Sequence, residues 1–148
     1  MIDKELILVG GGGHCKSVIN VAEKAGYNIC GILDRPELLG TKVLNYQVIG
    51  NDDNIPDFTE KARFLLTVGH IKNPSLRIFL YDLVDRAGGQ FLTLLAPSAN
   101  ISNYTRIGSG TVIMQNVVIN ANVNIGKGCI INTCANIEHD VEIGDFCH

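Results

Sequence analysis

The hydrophobic pattern of the chain changes its period near residue 95. Before that point, short apolar runs alternate with segments whose apolar residues fall at helical spacing. After it, an aliphatic residue recurs every six positions, and a small or β-branched residue follows four positions after each one. We therefore predict two domains, residues 1–94 and residues 95–148. The aliphatic positions are Leu95, Ile101, Ile107, Ile113, Ile119, Ile125, Ile131, Ile137 and Ile143.

The first domain has the alternation of strands and helices that is typical of a Rossmann-like α/β fold. An apolar run is followed by a glycine loop, an amphipathic helix that ends at Gly26, and a second apolar run that ends at Asp34. This order predicts a β-α-β unit with parallel strands, and a weaker version of the pattern follows it. The predicted strands are 6–9, 28–33, 62–68 and 90–95, and the predicted helices are 14–25 and 75–87.

The second domain has the fixed period of a solenoid. Three hexads form one triangular coil of 18 residues, so residues 95–112, 113–130 and 131–148 predict three coils of a left-handed parallel β-helix. The aliphatic residues point inward and stack, and the small residues, including Cys129 and Cys147, lie inward near the corners. The chain ends with the third coil and without a cap, so we expect the sequence to be part of a longer protein.

The composition indicates a globular protein of the cytoplasm. The chain has 148 residues, 46% of them hydrophobic, and a formal net charge of −3, which provides no basic surface for nucleic acid or an anionic membrane. No apolar run is long enough to span a membrane, and the first residues lack the features of a signal peptide. The five cysteines include no C-x-x-C pair, and the four histidines do not cluster with them at zinc-ligand spacing. We therefore expect reduced thiols and no metal.

The glycine loop between the first strand and the first helix allows two interpretations. Gly10 and Gly12 could let the backbone approach a phosphate at the start of the helix, and Asp34 lies where a carboxylate could bind a ribose. The alternative is a plain tight turn with a surface aspartate. The third glycine of a dinucleotide-binding motif would fall at Cys15 and is missing, which argues against a nicotinamide-dependent oxidoreductase.

His139 is the residue whose position is most informative about chemistry. It is the third residue of its hexad, so its side chain should point away from the aliphatic column. An imidazole titrates near neutral pH and can act as a general base, and a flanking carboxylate, Glu138 or Asp140, could orient the ring. The alternative is an ordinary surface histidine on one face of the solenoid.

Two segments carry a resemblance to a known family. The sequence GGGGHCKSV at residues 10–18 and the sequence NIEHDVEIGDFCH at residues 136–148 lie in a chain with nine consecutive hexads. Together they resemble the hexapeptide-repeat sugar acetyltransferases, which include sialic acid O-acetyltransferases and enzymes that acetylate amino sugars linked to UDP or GDP. The resemblance covers the whole chain.

The resemblance implies an acetyltransferase that uses acetyl-CoA and transfers the acetyl group to an amino or hydroxyl group of a sugar. In this family the motif around His139 supplies the general base, and positions that match Asn132 and His148 line the cleft around the acetyl group. The first domain would bind the nucleotide sugar or sialic acid. Its expected contacts are Gly12, Gly13, His14, Asp34, His70 and Arg77.

For the segment from His70 to Arg77, the sequence alone is better explained by a solvated loop and the cap of a helix. A turn asparagine is the simpler explanation for Asn132. His148 is the last residue and could be disordered.

The same resemblance implies a homotrimer whose active sites form between neighbouring β-helices. The outward positions Val112, Val118 and Ile130 could supply the contact surface between copies. In relatives, further coils hold much of the CoA site. The alternative function is therefore a catalytically inert module that binds a nucleotide sugar or supports assembly.

Overall fold

A computed structural model describes residues 2–148, and its first half is a five-stranded sheet between helices. The strand order is β3-β4-β2-β1-β5. All neighbouring strands are parallel except β3 and β4, which form an antiparallel pair at the edge. The elements are β1 (Glu5–Val9), α1 (Gly13–Lys24), β2 (Asn28–Leu33), β3 (Lys42–Val43), β4 (Tyr46–Gly50), β5 (Arg63–Leu66) and α2 (Ser75–Arg86).

The two helices cover opposite faces of this sheet. Leu6 and Leu8 of β1 belong to one apolar cluster with the buried residues of α1. Ile7 and Val9 point to the other face and cluster with residues of α2, including Leu80. The alternation of side chains along a strand therefore gives each helix its own face of the sheet, and the predicted Rossmann-like domain is confirmed. Strands β3 and β4 were not predicted, because β3 has only two residues and β4 carries a polar residue, Gln47, at its second position.

The second half is the predicted β-helix of three coils. Its strands form three parallel sheets, ordered β6-β9-β12, β7-β10-β13 and β8-β11-β14. Each pair in register is separated by 18 residues, as in Ile107, Ile125 and Ile143. The strands are β6 (Leu94–Leu95), β7 (Asn100–Ile101), β8 (Arg106–Ile107), β9 (Val112–Ile113), β10 (Val118–Ile119), β11 (Asn124–Ile125), β12 (Ile130–Ile131), β13 (Asn136–Ile137) and β14 (Glu142–Ile143).

The corners of the β-helix repeat their backbone conformation from one coil to the next. Asn122 and Asp140 both have a left-handed backbone, with φ of 60° and 64°. Asn and Asp tolerate this conformation better than other residues with side chains. Gly108 has a different role, because an added Cβ would lie 2.5 Å from the backbone of Gly126 in the next coil. Glycine is required there because two corners approach closely.

The two halves share a packed junction. Helix α1 contacts β6, and Leu94 and Val112 belong to the apolar cluster that contains α1. The predicted strand at 90–95 is therefore wrong in part, because β6 pairs with β9 of the β-helix. Phe91 forms only an isolated bridge to Phe64 of the first sheet.

One prediction about surfaces between copies of the chain needs correction. Val112 and Ile130 are buried within the chain, and of the three residues predicted as contact surface only Val118 is exposed. The hexad pattern places all three outward from the aliphatic column, but it cannot show that one face of the β-helix is covered by the rest of the chain. Among residues 2–148, no helix has the length and apolar character needed to cross a membrane.

Candidate functional site

The glycine loop is held in place by Asp34. The backbone N–H of Gly11 donates to Oδ2 of Asp34 at 2.7 Å, and the N–H of Arg35 donates to Oδ1 at 2.8 Å. Both carboxylate oxygens therefore accept a backbone hydrogen bond. Helix α1 then begins after Gly12 without a side-chain cap. An added Cβ at Gly12 or Gly13 would meet no atom within 4 Å, so the start of this helix is open.

A cleft of about 430 Å³ lies beside this loop, at the carboxyl ends of β1, β2 and β4. Ligands of doubly wound sheets bind at this edge. The cleft is lined by Gly10 and Asp34 together with polar residues that were not predicted, including Asn51, Asp52 and Asp53. Burial, and then the neighbouring carboxylates of Asp53 and Asp34, raise the pKa of Asp52. The other predicted substrate contacts do not line this cleft.

Three histidines that the sequence places far apart lie together at the junction between the two halves. The ring centroids of His14 and His148 are 6.4 Å apart, and those of His70 and His148 are 5.4 Å apart. Nδ1 of His148 also contacts the backbone oxygen of His70. His148 therefore lies against the first domain, beside two residues that were predicted to contact the sugar.

Burial favours the neutral form of two of these histidines, His14 and His70. Nε2 of His14 and Nδ1 of His70 are buried and have no hydrogen-bond partner among the described residues. Burial, and then the positive charges of Arg77 and His148, lower the pKa of His14 to about 4. The pKa of His70 is lowered for the same reasons. Both imidazoles are thus favoured in their neutral form.

Arg77 does not have the position expected of a substrate contact. Its side chain is 1% exposed, and its guanidinium donates to the backbone oxygens of Val68 and, at 2.8 Å, of Gly128. It therefore ties the loop after β5 to a corner of the β-helix. The prediction that Arg77 faces the sugar is corrected, because packing of α2 against that corner buries the guanidinium.

His139 and Asp140 form a hydrogen-bonded pair on an exposed corner between β13 and β14. Nδ1 of His139 lies 2.7 Å from Oδ2 of Asp140, and the two side chains are 69% and 62% exposed. This hydrogen bond, and then the charge of Asp140, raise the pKa of His139. Donation from Nδ1 leaves Nε2 of the neutral ring free to accept a proton.

The second candidate carboxylate, Glu138, has other partners. Oε1 of Glu138 accepts from Asn136 at 3.1 Å, and Oε2 lies 3.5 Å from the amide nitrogen of Asn120. The structure thus pairs the imidazole with the carboxylate that follows it in the sequence, a choice that the sequence left open between Glu138 and Asp140.

The remaining predicted residues have simple positions. Asn132 is exposed, and its Oδ1 accepts from the N–H of Thr133 at 2.9 Å, as a turn asparagine does. Cys129 is buried as predicted, but Cys147 is exposed, because it lies in the third coil and no other coil of residues 2–148 packs on it. His148 lies at a different corner of the third coil from His139.

Sequence analysis missed a set of amide-to-carboxylate hydrogen bonds that run from the second coil to the third. The side-chain amides of Asn122 and Asn124 donate to Asp140 and Glu142 at 2.6 and 2.8 Å. Each donor precedes its acceptor by 18 residues. Searching the sequence for polar partners one coil apart would have found these pairs.

Comparisons with known proteins agree with this architecture. The family model described as the PglD N-terminal domain matches residues 5–82. GDP-perosamine N-acetyltransferase of Escherichia coli O157:H7 is 24% identical over 144 residues, which are 94% of this chain and 64% of that protein. The chain thus spans about two thirds of the length of this relative.

Solved structures are similar over nearly the whole chain. A mutant of perosamine N-acetyltransferase of Caulobacter crescentus, in complex with CoA and GDP-perosamine, is 32% identical with a TM-score of 0.86, over 95% of this chain and 65% of that chain. The acetyltransferase domain of PglB from Neisseria gonorrhoeae FA1090, in complex with acetyl coenzyme A, is 26% identical with a TM-score of 0.84, over 95% of this chain and 67% of that chain. The resemblance predicted from the sequence is therefore confirmed. The family model matches more than half of the 148 residues of this chain, so the chain belongs to the family of the PglD N-terminal domain.

Proposed function

We propose that this protein transfers the acetyl group of acetyl-CoA to the amino group of a nucleotide-linked sugar. The observation that carries the proposal is the His139–Asp140 pair, which presents a free imidazole nitrogen on the β-helix. It is supported by similarity to two acetyltransferase structures that contain CoA or acetyl-CoA. The amine is preferred over a hydroxyl because the relatives that act on perosamine are N-acetyltransferases.

In the proposed reaction, Nε2 of His139 accepts a proton from the sugar amine as its nitrogen attacks the thioester carbonyl carbon. The C–N bond forms, the C–S bond breaks, and the imidazolium returns the proton to the CoA thiolate. The products are an N-acetylated sugar and free CoA. Asp140 stabilises the imidazolium and keeps the proton-accepting nitrogen unprotonated before the reaction. Holding two substrates in line would supply much of the remaining rate.

The first domain would bind the nucleotide part of the acceptor. The open start of α1 at Gly12 and Gly13 suits a phosphate, because backbone N–H groups and the helix dipole favour an anion there. The cleft at Asp34 lies beside it and is large enough for a base and ribose. In this proposal Asp34 orients the glycine loop, and the neutral His14 and His70 line the path toward the β-helix.

Acetyl-CoA would approach along the β-helix. We propose that His148 and Asn132 contact the acetyl end of the cofactor, and that three chains associate so that active sites form between neighbouring β-helices. Within residues 2–148, no group of three or more His, Cys, Asp and Glu side chains is placed to hold a metal.

The test combines binding and turnover. Calorimetry would measure binding of a nucleotide-linked amino sugar, and release of free CoA thiol would measure transfer, with sialic acid as a second acceptor. Binding together with CoA release supports the proposal. Binding without CoA release favours the alternative, an inert nucleotide-sugar-binding module. Turnover with sialic acid but not with the amino sugar would show that the acceptor class is wrong.

A further inference from the structure

We propose that Asn122 is a positioning residue for the imidazole of His139, acting from the coil below through Asp140. This inference rests on the proposed function only for its kinetic consequence. Its structural basis is a continuous chain of hydrogen bonds across two coils, which joins the Asn122 amide to the Asp140 carboxylate and that carboxylate to the His139 ring.

The two hydrogen bonds use different oxygens of the same carboxylate. Nδ2 of Asn122 donates to Oδ1 of Asp140 at 2.6 Å, and Oδ2 of Asp140 accepts from Nδ1 of His139 at 2.7 Å. With one oxygen fixed from below, the carboxylate plane is fixed, and the second oxygen is held against the ring. The donor also stabilises the charged form of the carboxylate, and it is the leading cause of the lowered pKa of Asp140.

An exposed carboxylate needs such a restraint. His139 and Asp140 are both mostly exposed, and exposed ion pairs are weak because solvent competes and side-chain entropy favours other rotamers. No wall of the described chain encloses the pair. A third group with its own rigid attachment is therefore the means by which one rotamer of Asp140 can be kept.

Asn122 has that rigid attachment. Its backbone is left-handed, with φ of 60°, and Asp140 repeats the conformation 18 residues later, with φ of 64°. The stacking of equivalent corners places the two side chains side by side. Asparagine meets both demands at this position, since it tolerates the backbone and carries an N–H donor.

Amide-to-carboxylate hydrogen bonds between stacked coils also occur beside the Asn122–Asp140 bond. Asn124 donates to Glu142 at a similar distance, 2.8 Å, but within residues 2–148 no hydrogen bond joins Glu142 to the imidazole. Both bonds join the second coil to the third, so both can stabilise the stack. Only the Asn122 bond continues to His139, so only its loss should change the ring.

The consequence is the choice of tautomer. With Asp140 held against Nδ1, the neutral ring carries its proton on Nδ1 and leaves Nε2 as the acceptor. Without that restraint, the ring gains access to the opposite tautomer, in which Nε2 cannot act as a base. The pKa of His139 should also fall toward its ordinary value. The titratable groups that act on this ring are Asp140 and Glu138.

The test uses two variants at one position and two matched controls. Asn122→Gly removes the side chain and suits the left-handed backbone, and Asn122→Asp keeps the size but cannot donate at neutral pH. Asn116→Gly is the backbone control, because Asn116 has the same conformation, with φ of 58°, away from His139. Asn124→Ala is the control for loss of an amide-to-carboxylate bond between coils.

Long-range ¹H–¹⁵N spectra of the histidines give the direct readout. The chain has four histidines, and loss of one set of signals in His139→Ala identifies the ring of interest. We expect the parent and both controls to have the proton on Nδ1. In Asn122→Gly and Asn122→Asp, the Nε2–H form should dominate. The pKa of His139 should fall in Asn122→Gly, which is the variant for this readout because Asn122→Asp adds a negative charge near the ring. If both variants keep the proton on Nδ1 as the controls do, the inference is wrong.

Kinetics then separate this inference from the proposed function. With the protein as its gene encodes it, Asn122→Gly should lower kcat about ten-fold with KM unchanged, since one restraint on the base is lost. If the variants change the tautomer but the parent protein transfers no acetyl group, the positioning role of Asn122 stands and the proposed function is refuted. If the parent transfers acetyl groups but the variants keep the parent's tautomer, the proposed function stands and the positioning role is refuted.

Discussion

Acid should destabilise this protein through His14. The unfolded chain binds a proton at this residue near pH 6.5, whereas the folded chain does so only at about pH 4. Between these values the unfolded state binds more protons than the folded state, so the free energy of unfolding falls as the pH is lowered. Above pH 6.5 the ring is neutral in both states and its stabilising contribution is fully present. That contribution to the free energy of unfolding is lost as the pH falls from 6.5 to about 4.

The magnitude follows from the width of that window. One proton changes the free energy of unfolding by about 1.4 kcal/mol per pH unit, which gives an upper value of about 3 kcal/mol for this shift. The imidazole is only partly buried, and screening by solvent reduces the expected effect to about 2 kcal/mol. Urea denaturation at closely spaced pH values would measure it, with His14→Gln as the variant.

The variant should lose the part of the acid slope that His14 contributes, because glutamine does not titrate, while His70, whose pKa is also lowered, keeps its own part. His139→Gln is the control: His139 is exposed and its pKa is raised, so the folded and unfolded states both bind its proton below pH 6.5. That control should keep the parent's slope between pH 6.5 and 4. An equal slope in the parent and in His14→Gln would refute the reasoning that burial of His14 at the junction controls acid stability.

Three further predictions concern the aliphatic column, the buried Arg77 and the association of copies of the chain. Ile125→Ala should lower the free energy of unfolding by about 2–5 kcal/mol, because Ile125 is 4% exposed and lies between two stacked isoleucines. Val118→Ala, at an exposed position, should change it by less than about 1 kcal/mol. Equal losses for the two variants in chemical denaturation would refute the aliphatic column. Arg77→Met should cost about 1–3 kcal/mol by leaving two carbonyl oxygens unpaired, with KM for the sugar unchanged; a raised KM at full stability would restore Arg77 as a substrate contact. Sedimentation at micromolar concentration should detect a trimer, and a clean monomer would contradict the proposed assembly.

The sequence predicts the β-helix well because each of its coils is local. The inward residues recur at a fixed spacing, and the register of neighbouring coils follows from the same spacing, as in Ile101, Ile119 and Ile137. The first sheet is predicted where strands are long and apolar, as in β1. It is missed in β3, an edge strand of two residues, and in β4, where Gln47 interrupts the apolar residues.

The sequence predicts less of the candidate site because the site depends on how the two halves pack. His14, His70 and His148 share no pattern in the sequence, and the fold brings them together at the junction. Arg77 follows a loop that has the composition of a ligand-binding loop, yet the packing of α2 buries it. By contrast, the His139–Asp140 pair is adjacent in sequence, and for that reason both residues could be proposed in advance.

The most direct test of the central claim is the turnover number of His139→Ala. With the protein as its gene encodes it and both substrates at saturation, release of CoA thiol should fall by about 10²–10⁴-fold, with little change in KM. The melting temperature should stay that of the parent because the side chain is exposed, and Thr133→Ala in the same coil should keep full activity. A folded His139→Ala variant that retains more than about a third of the parent kcat would contradict the account, since removing a general base costs far more than that.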